Sequence, residues 1–121
     1  MQKLAGSVEE LIKKSVAEFN AIFPHKKLIT CITNMGNPRR LAIQSRDTLI
    51  HVTISQLVLN LPDQKLPHLE VRISKGEQEH NFEYFSLKEV WWSTEKKCFC
   101  DMEEIQLSMN SLLEMNAEAK N

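Results

Sequence analysis

The chain has 121 residues, of which 42% are apolar and 26% are charged, and its formal net charge at pH 7 is −1. This length and composition predict one globular domain over residues 1–121 and exclude a wholly disordered chain. The chain does not have the excess of basic residues that is typical of a nucleic-acid-binding protein. We find no apolar run of membrane-spanning length and no secretion signal, and the three cysteines are an odd number, so we expect a cytoplasmic protein with free thiols and no membrane partner.

The N-terminal segment has the pattern of an amphipathic helix. Ser7 is followed three residues later by Glu10, which is the spacing of a capping box and predicts that the helix begins there. Apolar residues then recur at helical spacing as far as Phe23, and Pro24 ends the pattern. The sequence therefore predicts a helix over about Val8–Phe23.

Short segments rich in β-branched residues come next. Leu28–Thr33 and Arg40–Gln44 are predicted strands, and the turn residues of Asn34–Pro38 connect them. Because these connections are too short to hold a crossover helix, we expect neighbouring strands to be antiparallel.

The central stretch, Thr48–Ser74, has the densest apolar content. Leu49–Ile54 alternates between apolar and polar residues, which predicts a strand with one buried face. Residues 55–60 fit both the helical and the strand period, and we favour a short helical turn over a continued strand. The segment between Pro62 and Pro67 is a predicted loop, and Leu69–Ser74 is the next predicted strand.

The remaining segments complete the sheet and add a second helix. Gln78–Phe85 is predicted to pair with the preceding strand across Lys75-Gly76. For residues 86–93 the alternatives are a helix start and a strand; we favour a hairpin of residues 89–93 with residues 97–100. Asp101 is the predicted N-cap of a helix over Met102–Ala117, and Glu104, three residues later, would complete a capping box. Residues 116–121 are expected to be a frayed tail.

Together these elements predict an α+β domain. It would contain an N-terminal helix, an antiparallel sheet of about five to seven strands and a C-terminal helix, with the helices packed on one face of the sheet. Such an open sheet leaves two edges and one uncovered face, which offers a surface for forming a homodimer.

No residue pattern is typical of a catalytic or cofactor-binding site, so we predict no enzyme, no catalytic residues and no cofactor. Cys98 and Cys100 are separated by one residue, whereas zinc sites typically have about two to four residues between paired cysteines. No two histidines have the spacing of a paired ligand, and we predict no metal site. A cysteine-dependent enzyme, with Cys31 or Cys98 as nucleophile, is the third hypothesis for function.

Charge is separated along the chain. Residues 25–47 contain five basic residues and one acidic residue, whereas residues 76–104 contain eight acidic residues and three basic ones. The basic region gives the second hypothesis, a less favoured one, in which the protein is associated with nucleic acid. Its phosphate-binding residues would be Lys26, Lys27, Arg39, Arg40 and Arg46.

The acidic region contains most of the aromatic residues. Adjacent strand residues point to opposite faces, so one of Trp91 and Trp92 should lie at or near the surface if a single helical layer covers the sheet. Trp and Tyr are typical anchors of protein interfaces. The favoured hypothesis is therefore a non-enzymatic protein-binding module, such as an inhibitor, an immunity protein or a dedicated chaperone, whose partner is a protein with a basic surface. The predicted partner-binding residues are Glu83, Tyr84, Phe85, Glu89, Trp91 and Trp92.

Overall fold

The computed structural model describes residues 1–118, with the side chains of residues 1–114. Over this range the chain forms helix α1 (Gln2–Ile22), seven strands and helix α2 (Met102–Glu118). The predicted frayed tail is helical as far as Glu118, and its last three residues lie outside the described residues. The strands are β1 (Ile29–Asn34), β2 (Arg39–Gln44), β3 (Leu49–Asn60), β4 (Lys65–Lys75), β5 (Gln78–Phe85), β6 (Val90–Ser93) and β7 (Cys98–Cys100).

The seven strands form one antiparallel sheet whose spatial order is the order of the chain. Each strand pairs with its neighbours in sequence, because a connection of a few residues can join antiparallel strands but cannot return the chain to a parallel position. The predicted α+β fold is therefore confirmed, with a strand number at the upper end of the expected range.

Both helices contribute to one hydrophobic core on one face of the sheet. The strands give this core their alternate residues, for example Ile50, Val52 and Ile54 of β3. Burying each such side chain contributes about 1.5–3 kcal/mol relative to leaving it in water, so this covered face holds the fold together. The helix residues in the core are Ala5, Val8, Ile12, Val16 and Phe19 of α1 and Ile105, Met109, Leu112 and Leu113 of α2.

The other face, called the open face below, carries the intervening side chains of the same strands. The pairing register places one row across five strands, from Ser55 through Glu70, Glu83 and Trp92 to Phe99. Neither helix, over the described residues, is long and apolar enough to cross a membrane.

The predicted start of helix α1 at Ser7 is wrong. The helix begins at Gln2, and Ser7 lies within it, where its hydroxyl donates to the carbonyl of Lys3 at 3.0 Å. Ala5 is buried and Leu4 packs against the core, so the apolar stripe begins before the capping-box pattern. The extra turn forms because burial of this stripe outweighs the local preference of Ser7 for a cap.

The predicted helical turn over residues 55–60 is also wrong. Strand β3 continues without interruption to Asn60, and its residues pair with those of β4 as far as Lys65. The predicted loop between Pro62 and Pro67 is reduced to a two-residue turn, since the backbones of Leu61 and Gln64 exchange hydrogen bonds of 2.9 and 3.3 Å.

Pro67 lies inside β4, where a proline normally weakens a sheet. Hydrogen-bonded and non-hydrogen-bonded residue pairs alternate along an antiparallel hairpin. Because Leu61 and Gln64 form a hydrogen-bonded pair, Val58 and Pro67 form a non-hydrogen-bonded pair, and the backbone nitrogen and carbonyl of Pro67 point away from β3. On that side β5 has already ended, because its last pair is Phe85 with His68. The missing N–H of Pro67 therefore breaks no bond of the sheet, and its carbonyl accepts a hydrogen bond from Ser86 Oγ at 2.7 Å.

The predicted last hairpin and the N-cap of α2 are confirmed, whereas the predicted capping box is not formed. Strands β6 and β7 form the predicted hairpin, which the β-propensity of Val90, Trp91 and Trp92 favours. Asp101 caps α2, because its Oδ1 accepts a hydrogen bond from the backbone N–H of Glu103 at 3.0 Å. Glu104, predicted to complete the capping box, instead forms an ion pair with Lys96.

Candidate functional site

The two adjacent tryptophans lie on opposite faces of the sheet. Trp91 is 3% exposed and belongs to the core, where its ring centroid is 5.2 Å from that of Tyr84. Trp92 projects from the open face, and its ring meets that of Phe99 edge-on at 5.1 Å. The alternation of strand side chains thus leaves one tryptophan at the surface, as the sequence predicted.

Trp92 and Phe99 line a cavity of about 460 Å³, called the aromatic groove below. Its lining comes from the β3–β4 hairpin, from β5 and the connection to β6, and from strands β6 and β7. Phe99 is 57% exposed and Leu87 is 69% exposed, so large apolar side chains remain in contact with water here. The residues that line the groove are Leu59, Leu66, Pro67, Glu83, Phe85, Ser86, Leu87, Lys88, Trp92 and Phe99.

The structure separates the six predicted partner-binding residues into two groups. Glu83, Phe85 and Trp92 line the aromatic groove. Trp91 instead belongs to the core, and Tyr84 packs against the core. Glu89 is exposed in the connection that leads into β6, directly after the groove residue Lys88.

The β3–β4 hairpin supplies groove residues that the sequence analysis did not select. Strand β2 pairs with β3 only as far as Ile54, and β5 pairs with β4 only from His68. The part of the hairpin beyond these points, residues 57–67, is called the arm below. It is a two-stranded ribbon that leaves four large apolar residues exposed: Leu57, Val58, Leu59 and Leu61. The alternation of Leu57, Leu59 and Leu61 was the available signal, and it was ambiguous because the helical spacing fits equally well.

One buried histidine lies on the open face near the groove. His68 is 2% exposed, and its ring stacks edge-on against Phe85 at 5.1 Å. His68 Nε2 lies 3.0 Å from Oε1 of the groove residue Glu83. Glu70, which faces Glu83 across the β4–β5 pair, completes a group of three side chains whose ligand atoms all lie within 4.8 Å of one another.

The five basic residues of the second hypothesis do not form one cluster. Lys26, Lys27 and Arg46 lie in connections beside the Ile29–Gln44 end of the β1–β2 pair, whereas Arg39 and Arg40 lie at the other end. The hydrogen bond from Ser45 and the charge of Lys26 lower the pKa of Asp47, so an acid lies within reach of the first group.

Arg39 has a structural role that the sequence did not indicate. Its guanidinium forms an ion pair with Glu9, a residue of α1 that is only 5% exposed, and Nη1 also donates to the carbonyl of Met35 at 3.2 Å. Lys13 Nζ, one helical turn along, lies 2.8 Å from the same carboxylate. The hydrogen bond from Arg39, aided by Lys13, holds the pKa of Glu9 below its usual value despite the burial of the carboxyl.

We expect the Glu9 ion pair to make the protein less stable in acid. A carboxyl whose pKa is lowered in the folded state adds stability above its unfolded pKa of about 4.3, and this stability is lost as the pH falls through the folded pKa. The Glu9→Gln variant should therefore be less stable than the wild type at pH 7 but should lose less further stability between about pH 5 and pH 3. Urea unfolding at several pH values checks this, with Glu10→Gln, on the exposed side of the helix, as the matched control. If the unfolding free energy of Glu9→Gln depended on pH as strongly as that of the wild type, the Glu9 ion pair would not be the cause of the acid sensitivity.

The three cysteines are free thiols. Burial raises the pKa of the Cys100 thiol to about 11, which is opposite to the shift that reactive cysteines need. Cys31 Sγ accepts a hydrogen bond from the side-chain amide of Gln44 at 3.5 Å, and Cys98 is exposed on the short strand β7.

No family model matches this chain, and neither does any curated protein or solved structure. The class that the fold defines is an α+β protein with two helices on one face of a sequential antiparallel sheet, over the described residues. The features of this fold that could bind another molecule are the aromatic groove, the arm and the charged residues beside them.

Proposed function

We infer that the protein is a non-enzymatic protein-binding module, and that its aromatic groove receives an apolar segment of another protein. The observation that carries this inference is the exposure of Phe99 and Leu87 beside Trp92 in a cavity of about 460 Å³. A folded chain keeps such a cluster in water at a cost in free energy, and contiguous apolar patches on monomers usually mark binding surfaces.

The shape of the apolar surface favours a polypeptide as the occupant. Leu57, Leu59 and Leu61 alternate along β3 and project on the open-face side, so they extend the groove along the arm. At about 3.3 Å per residue the strip from Leu57 to Leu61 is about 13 Å long, and it shares Leu59 with the groove. A small molecule would fill the groove alone, whereas a peptide segment can cover both the groove and the strip.

The charges around the groove favour a basic segment. Glu83 lines the groove, Glu70 lies beside Glu83, and Glu89 is exposed next to the groove residue Lys88. Against these three carboxylates stand two cations: Lys88 in the groove lining, whose Nζ lies 5.9 Å from the centre of the Phe99 ring, and Lys65, which is exposed next to the groove residue Leu66. A Lys or Arg in the bound segment would complement this excess of negative charge.

Selection of peptides from a random phage-displayed library on the purified protein tests the proposal. We expect the selected peptides to combine two or more large apolar residues with a Lys or Arg. Their affinity should fall at least about 30-fold for Trp92→Ala, because a tryptophan at the centre of an interface can contribute about 2 kcal/mol or more. Phe99→Ala should act in the same direction.

The control variant is Ile22→Ala, which removes another exposed apolar side chain, at the end of α1 and far from the groove in sequence. It should bind the selected peptides like the wild type. The absence of any enriched peptide, or enriched peptides that bind Trp92→Ala and the wild type equally, would overturn the proposal.

A further inference from the structure

We propose that His68, Glu70 and Glu83 form a binding site for one divalent transition-metal ion, with Zn²⁺ as the best-suited ion. One potential ligand atom from each side chain lies within 4.8 Å of the other two. This inference concerns the open face alone and does not depend on the function proposed above.

The sheet itself places the three side chains together. His68 and Glu70 are two residues apart on β4, so they project from the same face. Glu83 of β5 is the register partner of Glu70, and it reaches diagonally to His68, with Nε2 and Oε1 3.0 Å apart. Because all three residues lie on paired strands of the sheet rather than on loops, their relative positions are fixed by backbone hydrogen bonds.

The site has an unbalanced negative charge. Glu70 and Glu83 face each other directly across the strand pair, an arrangement in which like charges destabilise a sheet. Among the described residues, His68 is the only basic group within 4.0 Å of either carboxylate. Arg72 lines the adjoining cavity, but its ion pair is with Glu79 at 3.5 Å, and Arg40 on the same cavity forms no ion pair with the two glutamates.

His68 supplies the one nitrogen ligand of the group. Its ring is buried, and Nδ1 has no hydrogen-bond partner among the described residues. Neutral imidazole is the form that binds metal ions, and a divalent ion would neutralise both carboxylates.

The donor set indicates the class of ion. One imidazole nitrogen and two carboxylate oxygens are typical of Zn²⁺ and neighbouring first-row ions, whereas Mg²⁺ and Ca²⁺ prefer oxygen ligands throughout. Three protein ligands leave at least one coordination position for water or for a group of a bound partner. Glu83 also lines the aromatic groove, so the ion would lie beside the groove and compete there with a cation of a bound segment.

Isothermal titration of the metal-free protein with Zn²⁺ tests the site. The three cysteines are first replaced by serine, because free thiols are themselves zinc ligands. We expect binding of one ion per chain. Glu70→Gln and Glu83→Gln should each lower the affinity at least about tenfold, and His68→Gln should do the same. Glu79→Gln, a carboxylate that pairs with Arg72 on the same face, is the control and should bind like the parent protein.

Each outcome decides the question. Both glutamates reach solvent, so their glutamine variants should stay folded, as circular dichroism would show, even if the buried His68 does not tolerate substitution. Saturable binding that weakens in the glutamate variants supports the site. No saturable binding, binding that Glu70→Gln and Glu83→Gln leave unchanged, or binding that requires the cysteines would overturn it.

Discussion

Replacing Trp91 by alanine is expected to lower the free energy of unfolding by about 3–5 kcal/mol, because it removes a buried aromatic side chain and leaves a cavity. Trp91 is 3% exposed and packs against Tyr84 beneath the helices. Strand β6 is paired with β5 on one side and with β7 on the other, which holds the backbone around the cavity in place. Urea unfolding of the wild type and the variant measures the difference.

Trp92→Ala is the matched comparison, since the same residue type is removed from the adjacent position. It takes away the ring contact with Phe99 on the open face, and we expect a loss of only about 1–2 kcal/mol. Peptide binding should show the opposite order, with Trp92→Ala the weaker binder among folded variants. Equal losses of stability in the two variants would contradict the separation of a structural and a binding tryptophan.

Shortening the arm is the second change with a large expected effect. Residues 58–67 are replaced by Asn-Gly, so that Leu57 and His68 flank a two-residue turn. A two-residue hairpin turn is closed by a hydrogen-bonded residue pair. Every second pair of the arm is of this kind, from Leu61–Gln64 to Leu57–His68, so Leu57 and His68 can close the new turn. Gln56 keeps its backbone hydrogen bonds of 2.8 Å with the side chain of Asn37.

We expect this variant to fold with a change in unfolding free energy of about 1 kcal/mol or less, because the arm buries little of its own apolar surface and a shorter loop closes more easily. Binding of the selected peptides should fall by more than about tenfold, since Leu59, Leu66 and Pro67 leave the groove and the strip keeps only Leu57. Unchanged peptide binding would show that the arm takes no part in the interface. A variant that unfolds would show that the arm stabilises the sheet.

The sequence predicted the elements whose signals are local. Alternation and turn residues defined β5 with the bounds that the structure has, Gln78–Phe85. The prediction failed at residues 55–60, where the spacing of the leucines fits a helix and a strand equally well. Pairing with β4 makes this segment a strand, and the periodicity of a single segment contains no information about its pairing partner.

The candidate site was predicted in part for the same reason. Strand alternation was enough to predict that one tryptophan lies at or near the surface, but Leu59, Leu66 and Leu87 come from segments predicted as a helical turn, a loop and an ambiguous connection. The group around His68 depends on the register of β4 and β5. The turn at Gly76, whose φ of 60° suits glycine, sets that register by pairing Lys75 with Gln78. The position of this turn in the sequence therefore indicated which residues of β4 and β5 face each other. The spacing of possible ligands along the chain did not indicate it.

The sequential order of the strands has a consequence for how the chain folds. Every strand pair joins segments that are neighbours in sequence, so each hairpin can form after closing only a short loop. The packing of α1 on α2 is different, because it joins the two segments that flank the entire sheet. This docking carries the largest loss of chain entropy, and we expect it to follow the hairpins and to complete the core only when the sheet already presents its apolar face.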